Sequence, residues 1–298
     1  MKDRVIDSRL VVDEALESTD ADFIIRVSKD SSKEYMWYSL CFNPNTPPEV
    51  LFNIATSDVW FGSKALNHPS LPGGTLERII FGGYSDTVKS RALIDSRTPE
   101  EIILKFMKDF PSAYRVVLSV FNNPNVTVKS VKLAFDNFGK DIDRHSLKDL
   151  AKTTKDKELM QFLVDNNLAV DDVASNRSIS TKLLEEIFKK YPSNLRVLCE
   201  IAKNPRCNTK TLERLASLNN PALNLPIARH RNSKESILFS ISSSKDEITL
   251  LRLMENKNCS MGLLRSIAEN GFSETIKSSA EAKIQRVLAK KRLSEEAG

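Results

Sequence analysis

Asn43-Pro44-Asn45-Thr46-Pro47-Pro48-Glu49-Val50-Leu51 decides the fold. An apolar pair, Leu40/Cys41, precedes it, and an apolar face, Val50, Leu51 and Ile54, follows it at helical spacing. Pro44 offers no N–H and restricts the residue before it, so one helix ends here. Thr46-Pro47-Pro48-Glu49 reads as a capping box with Pro at the first helical position, so a second helix begins. The phrase returns, with polar substitutes for Asn or Pro, at Asp95-Ser96, Asn123-Pro124, Thr153-Thr154, Asn176-Arg177 and Asn204-Pro205. It returns with His or Lys at His68-Pro69, His230-Arg231 and Asn256-Lys257. The second members are spaced by 25, 27, 28, 30, 23, 28, 26 and 26 residues. A sustained period of this length is the signature of stacked supersecondary units.

An apolar pair stands three and four residues before every anchor: Leu40/Cys41, Ala65/Leu66, Ala92/Leu93, Val120/Phe121, Leu150/Ala151, Val173/Ala174, Ile201/Ala202, Ile227/Ala228 and Leu253/Met254. One turn further back, Phe61, Val88, Val116, Val197 and Leu223 extend the face. Thr98-Pro99-Glu100-Glu101 repeats the capping device, and Ser180, Asn208 and Asn232 are read as caps of later helices. Two such short helices cannot bury their apolar faces alone, so neighbouring copies must stack. The expected architecture is all-α: an α-solenoid of about nine two-helix repeats of 23–30 residues. The intervals of 30 and 23 around Thr154 mark the least regular copy, either a hinge or a drifted repeat.

At Asn43–Leu51, and more weakly at Asn204-Pro205-Arg206-Cys207-Asn208-Thr209-Lys210-Thr211-Leu212, the chain resembles the variant leucine-rich repeat, a bacterial relative of HEAT-type helical repeats. The resemblance covers roughly residues 36–270 and implies a right-handed α-solenoid but no particular activity. Some members of that family carry an iron–sulfur module with clustered cysteines. Here Cys41, Cys199, Cys207 and Cys259 are scattered, so no cofactor is expected. Residues 1–35 lack the phrase and are read as an N-terminal cap; residues 271–298 are read as a basic capping helix around Ile284–Arg292. Residues 1–35 hold six basic and nine acidic side chains, leaving 38 basic and 30 acidic elsewhere, a surplus of +8.

No apolar run approaches the roughly 20 residues that span a bilayer, and Met1-Lys2-Asp3-Arg4-Val5 lacks a secretory apolar region. Unclustered thiols point to the cytoplasm. The abundance of Lys, Asn, Ser and Ile fits an AT-rich genome, bacterial or phage.

No HExxH, CxxC or Walker loop is present, and no small-molecule substrate or metal is expected. His68 and His230 occupy turn positions shared with Asn and Asp, and His145 has no triad pattern around it. Gly73-Gly74 is a loosened helix start without the Lys-Ser/Thr of a phosphate loop. The function expected is therefore non-enzymatic binding of a protein partner along an extended groove. In HEAT-like repeats the helix before the anchor lines the concave face. By that resemblance its solvent positions form a basic track: Lys64, Arg91, Arg115, Arg196, Lys203, Arg229 and Arg252, with Lys152 beside them. Such a track also suits a phosphate backbone, so nucleic-acid binding is the alternative. HEAT-like DNA glycosylases add groove aromatics and a carboxylate; the two Trp here lie near one end and no catalytic Asp can be placed. Trp37 and Trp60, with Tyr35, Tyr38 and Phe61, are read as core and cap packing in preference to a binding platform. A second row, Arg78, Lys105, Lys132, Arg214 and Arg265, is assigned to the outer face.

Overall fold

The computed structural model describes residues 8–29, 34–57, 60–72 and 74–296. Part of the expected N-terminal cap, including Met1–Val5, and Gly73 of the Gly-Gly pair lie outside them. The described residues are all-helical, with 21 α-helices, 3-10 turns at Val120–Asn122 and Gly139–Asp141, and no strand. None of these helices is long and apolar enough to cross a membrane.

The chain divides into two compact units, Met1–Ser146 and Leu147–Gly298. The first contains α1 (Ser8–Glu17), α2 (Ala21–Ser28), α3 (Glu34–Leu40), α4 (Pro48–Thr56), α5 (Gly62–Leu66), α6 (Thr75–Ile80), α7 (Asp86–Ile94), α8 (Glu100–Asp109), α9 (Tyr114–Ser119) and α10 (Val128–Phe138). The division falls inside α11 (Arg144–Thr153), in the copy with the least regular spacing. The second unit continues with α12 (Lys157–Asp165), α13 (Val170–Ser175), α14 (Thr181–Lys190), α15 (Leu195–Lys203), α16 (Thr209–Ala216), α17 (Pro221–Arg229), α18 (Glu235–Ser240), α19 (Glu247–Glu255), α20 (Met261–Asn270) and α21 (Glu274–Glu296).

Alternate helices pack side by side. In the first unit α1 lies on α3, and α5, α7 and α9 lie in a row; α8 packs on α10. In the second unit α13, α15, α17 and α19 form one row, while α14, α16 and α18 pair with members of it. The apolar pairs explain the rows. All nine, from Leu40/Cys41 to Leu253/Met254, are buried, as are Phe61, Val88, Val116, Val197 and Leu223 one turn earlier.

The turns are joined by a hydrogen-bond ladder that uses the first residue of each phrase. Asn204 Nδ2 donates to the carbonyls of Ala174 (2.7 Å) and Asn176 (2.9 Å), and its Oδ1 accepts from the Arg206 N–H. Asn176 does the same toward Ala151 and Thr154, Asn256 toward Ala228 and His230, Asn123 toward Leu93 and Asp95, and Asn43 toward Ala15 and Ser18. In each rung one acceptor is a carbonyl in the last turn of the preceding helix and the other belongs to the turn that follows it, so each carboxamide closes that helix end and ties its own turn to the previous one.

Histidine performs the same work. His230 Nε2 donates to the Asn204 carbonyl at 2.9 Å and Nδ1 accepts from the Asn232 N–H at 3.1 Å. His68 is held identically between the Asn43 carbonyl and the Ser70 N–H. These partners assign the neutral Nε2–H tautomer, a donor and an acceptor spaced like those of a carboxamide. Aspartate accepts but cannot donate, and at Asp95 the missing donor comes from Arg97. Its guanidinium grips the Asp95 carboxylate and reaches the Leu66 carbonyl at 2.5 Å. Burial pushes the Asp95 carboxyl up, but the hydrogen bonds and charge of Arg97 outweigh it and hold the group below its ordinary range. At Thr153 the side chain bonds back within its own helix, to the Asp149 carbonyl.

The capping boxes require correction. Thr46 is not the N-cap of α4; Pro47 holds that position, without a side-chain cap bond. The buried Thr46 hydroxyl donates to the Leu40 carbonyl at 2.7 Å, and Thr98 does likewise to Ala92 at 2.6 Å. Both hydroxyls close the helix behind them. Asn232 is not a cap either: its amide donates to the Cys207 carbonyl, while α18 begins after Lys234. Ser180 and Asn208 are N-caps, accepting from the Leu183 and Thr211 N–H groups. A second set of bonds runs along the other helices. Glu100 accepts from Thr127 and Ser130, Glu185 from Asn208, and Glu235 from Ser260.

The ladder chemistry predicts which substitutions survive. Asn204→Asp recreates the Asp95–Arg97 pairing, because Arg206 stands two residues on, as Arg97 does. Asn176→Asp has Ser178 at that position and leaves the carbonyls of Ala151 and Thr154 without a donor. We expect Asn176→Asp to cost about 2 kcal/mol more than Asn204→Asp in urea unfolding; equal costs would remove the composite-donor account.

His230 predicts a pH dependence. Burial, reinforced by the Arg231 charge, holds its pKa below the ordinary 6.5 despite the Asn204 bond. The unfolded chain therefore takes the proton first as pH falls. The contribution of this group is full above 6.5 and is lost progressively as pH drops below 6.5 toward the folded-state value. His230→Asn keeps the donor and acceptor without the titration, so its urea midpoint should fall less than that of the parent between neutral and mildly acidic pH.

Candidate binding surfaces

The seven cations expected to line a groove meet different fates. Arg91 is half-buried, lies over Gly62 and donates to the Ser57 carbonyl at 2.8 Å, which closes α4. A Cβ on Gly62 would come 2.4 Å from Arg91 Nη1, so the glycine makes room for this bond. Arg196 pairs with Asp171, Lys203 with Glu200 at 2.8 Å, and Arg252 with Glu255 at 2.6 Å. Lys152 approaches Asp172 at 3.5 Å. Asp171 and Asp172 are buried acids at the start of α13, where the helix N-terminus favours negative charge. Lys64, Arg115 and Arg229 are exposed and have no ion pair among the described residues.

Three of the five cations of the second row pack on aromatic rings. Arg78 lies over the Phe52 ring at 4.1 Å, Lys105 over Phe81 at 4.4 Å and Arg214 over Phe188 at 4.3 Å. Each cation bridges to a ring contributed by an earlier phrase, a contact worth about 0.5–1 kcal/mol at an exposed site.

A basic surface stands out at the turns of the second unit. The five turn segments, 152–155, 175–178, 203–206, 229–232 and 255–258, lie side by side because the ladder ties each to the one before. They carry Lys152 and Lys155, then Arg177, then Lys203 and Arg206, then Arg229 and Arg231, then Lys257. All eight are exposed, against one acidic residue, Glu255, in the same segments. The corresponding segments of the first unit hold only the mutually paired Asp95 and Arg97. The signal was present in the sequence: where the first unit has Pro44, Pro69 and Pro124, the second has Arg177, Arg231 and Lys257. Reading the helix faces alone passed over it.

Two depressions open on this edge. One, of about 390 Å³, has Ala202, Pro205, Leu225 and Pro226 on its floor and Lys203, Arg229 and Arg231 around it. The other, of about 470 Å³, is lined by Ser175, Arg177, Glu200, Lys203, Asn204 and Pro205. Pro226 shapes the first. It sits inside α17 and cannot give an N–H to the Ala222 carbonyl; the Cys199 thiol of α15 donates to that oxygen instead, at 3.8 Å.

The aromatics of the first unit are less buried than the sequence reading had them. Phe61 is core and Trp37 half-buried, but Trp60 is 78% exposed, and Tyr35 and Phe42 are each 49% exposed. Tyr38 stacks on Trp60 with centroids 5.7 Å apart and meets Phe42 and Phe61 edge-on. Among the described residues no cluster of three or more His, Cys, Asp or Glu is arranged to hold a metal ion. His145 is exposed. No protein-family model, curated protein or solved structure matches the chain.

Proposed function

We propose that this chain is a non-enzymatic helical-repeat scaffold that holds a protein partner. The reading takes it as a right-handed α-solenoid of about nine two-helix repeats of 23–30 residues, akin to the variant leucine-rich repeat and HEAT-like proteins. The recurring carboxamide ladder supports that architecture, since the Asn phrases make the same pair of bonds to the segment before them. The four free thiols, scattered along the chain, support a cytoplasmic setting.

The observation that carries the partner reading is the exposed aromatic cluster around Trp60. Trp and Tyr dominate the residues that supply binding energy at protein interfaces, and contiguous exposed rings mark such sites. A second reading, nucleic-acid binding, is favoured by the basic turn edge of the second unit. The helix-face cations support it less, because Arg91, Arg196, Lys203 and Arg252 already have partners.

Affinity capture from a native lysate tests the first reading. Trp60→Ala/Tyr38→Ala removes exposed rings, so the variant should fold and recover at least about tenfold less of a partner held by the parent. Equal recovery would sink the aromatic surface. A titration against single-stranded and duplex DNA and RNA tests the second: phosphate-driven affinity must fall steeply between low and physiological salt.

A further inference from the structure

We propose that the basic turn edge of the second unit binds an acidic peptide segment, with an apolar side chain of that segment seated in the depression between α15 and α17. The inference rests on the scaffold reading and names the chemistry of one partner segment.

Charge is the first argument. Eight exposed cations stand on five adjacent turns with one acidic residue among them. The ladder fixes the turns to one another through backbone carbonyls, so the backbone positions that carry the cations stay adjacent. Arg206 Nε and Arg231 Nη2 even lean back over the carbonyls of Arg177 and Pro205, each at 3.5 Å, holding their heads along the same edge. A fixed field of one sign attracts a ligand of the other and relieves the strain of assembling like charges.

The depression is the second argument, and it decides between polyanions. Its floor is aliphatic, Ala202, Pro205, Leu225 and Pro226, and its lining contains no aromatic ring other than the His230 imidazole. That imidazole is spent, both nitrogens being committed to the ladder, and it is nearly buried. A single-stranded nucleic acid uses stacking platforms in addition to cations, and the site offers none; a duplex presents phosphates to the cations but no aliphatic group to the depression. A peptide uses what is here: an aliphatic side chain buried against Leu225 and Pro226, and flanking carboxylates on Arg229 and Arg231. The adjoining depression shares Lys203 and Pro205 and ends at Arg177, so the trough continues across the turn. Lys203 has Glu200 as a surface partner, and an exposed pair of this kind exchanges readily for an incoming carboxylate.

The test is fluorescence anisotropy on the full chain with three labelled probes: a Glu/Asp-rich peptide with a central Leu, the same peptide with Ser for Leu, and an oligothymidylate of equal charge. The Leu peptide should bind at low salt and weaken as salt rises. The Ser peptide should bind about tenfold more weakly, as should the Leu peptide with the Arg229→Glu/Arg231→Glu chain. Arg229→Gln/Arg231→Gln, checked for helicity by circular dichroism, gives the same comparison if charge reversal harms folding. Equal affinity for the two peptides, or no effect of either variant, would overturn the inference. So would tighter binding of oligothymidylate than of the Leu peptide, which would favour nucleic acid instead. If the peptide fails while a partner is still captured through Trp60, the scaffold reading stands and only this inference falls.

Discussion

Everything in the two units depends on how helix C-terminal carbonyls are satisfied at the turns. A short helix leaves up to four carbonyls without an internal partner, and a structure made of many short helices multiplies the problem. Here the solution comes from the next phrase, whose Asn reaches back to two carbonyls while its own oxygen tightens the turn it sits in. Leaving such groups buried and unpaired would cost about 1–3 kcal/mol each. The nearly complete burial of Asn43, Asn123, Asn176 and Asn204 follows from this duty, and so does the spacing of the sequence phrase.

The same requirement explains why the phrase tolerates substitution. What is conserved along the chain is a donor and an acceptor at a fixed separation. A carboxamide has them in one group, a neutral imidazole has them across a ring, and Asp95 with Arg97 assembles them from two side chains. The polar edge is thereby fixed in place, and its outward positions are free to vary. The first unit carries mostly Pro, Ser and Asn there; the second carries Lys155, Arg177, Arg206, Arg231 and Lys257 beside Thr154 and Pro205. Surface charge is added to the turns without disturbing the bonds that hold them.

The helical class and the buried apolar pairs were legible from periodicity, because burial of a face leaves a one-dimensional trace. Thr46 and Thr98 were misread because their hydroxyls serve a carbonyl six residues behind them, whereas a capping box assumes a partner ahead. The fate of the groove cations was hidden for a related reason. Nothing in local spacing pairs Arg196 with Asp171, which lies on a neighbouring helix. Arg91 looked like a solvent residue until Gly62 opened a path to Ser57. The basic edge was visible in the anchors themselves, once they were taken as a surface and not as punctuation.

The ladder also has a direction. In every rung the donor lies later in the chain than its acceptors, by 25 to 30 residues for Asn43, Asn123 and Asn204. A chain leaving the ribosome presents its N-terminal part first. Each newly emerged turn therefore finds its acceptors already displayed by a finished helix, and no rung has to wait for a distant segment. Within each unit the direction of the bonds therefore matches the order of synthesis, each layer presenting acceptors to the one that follows.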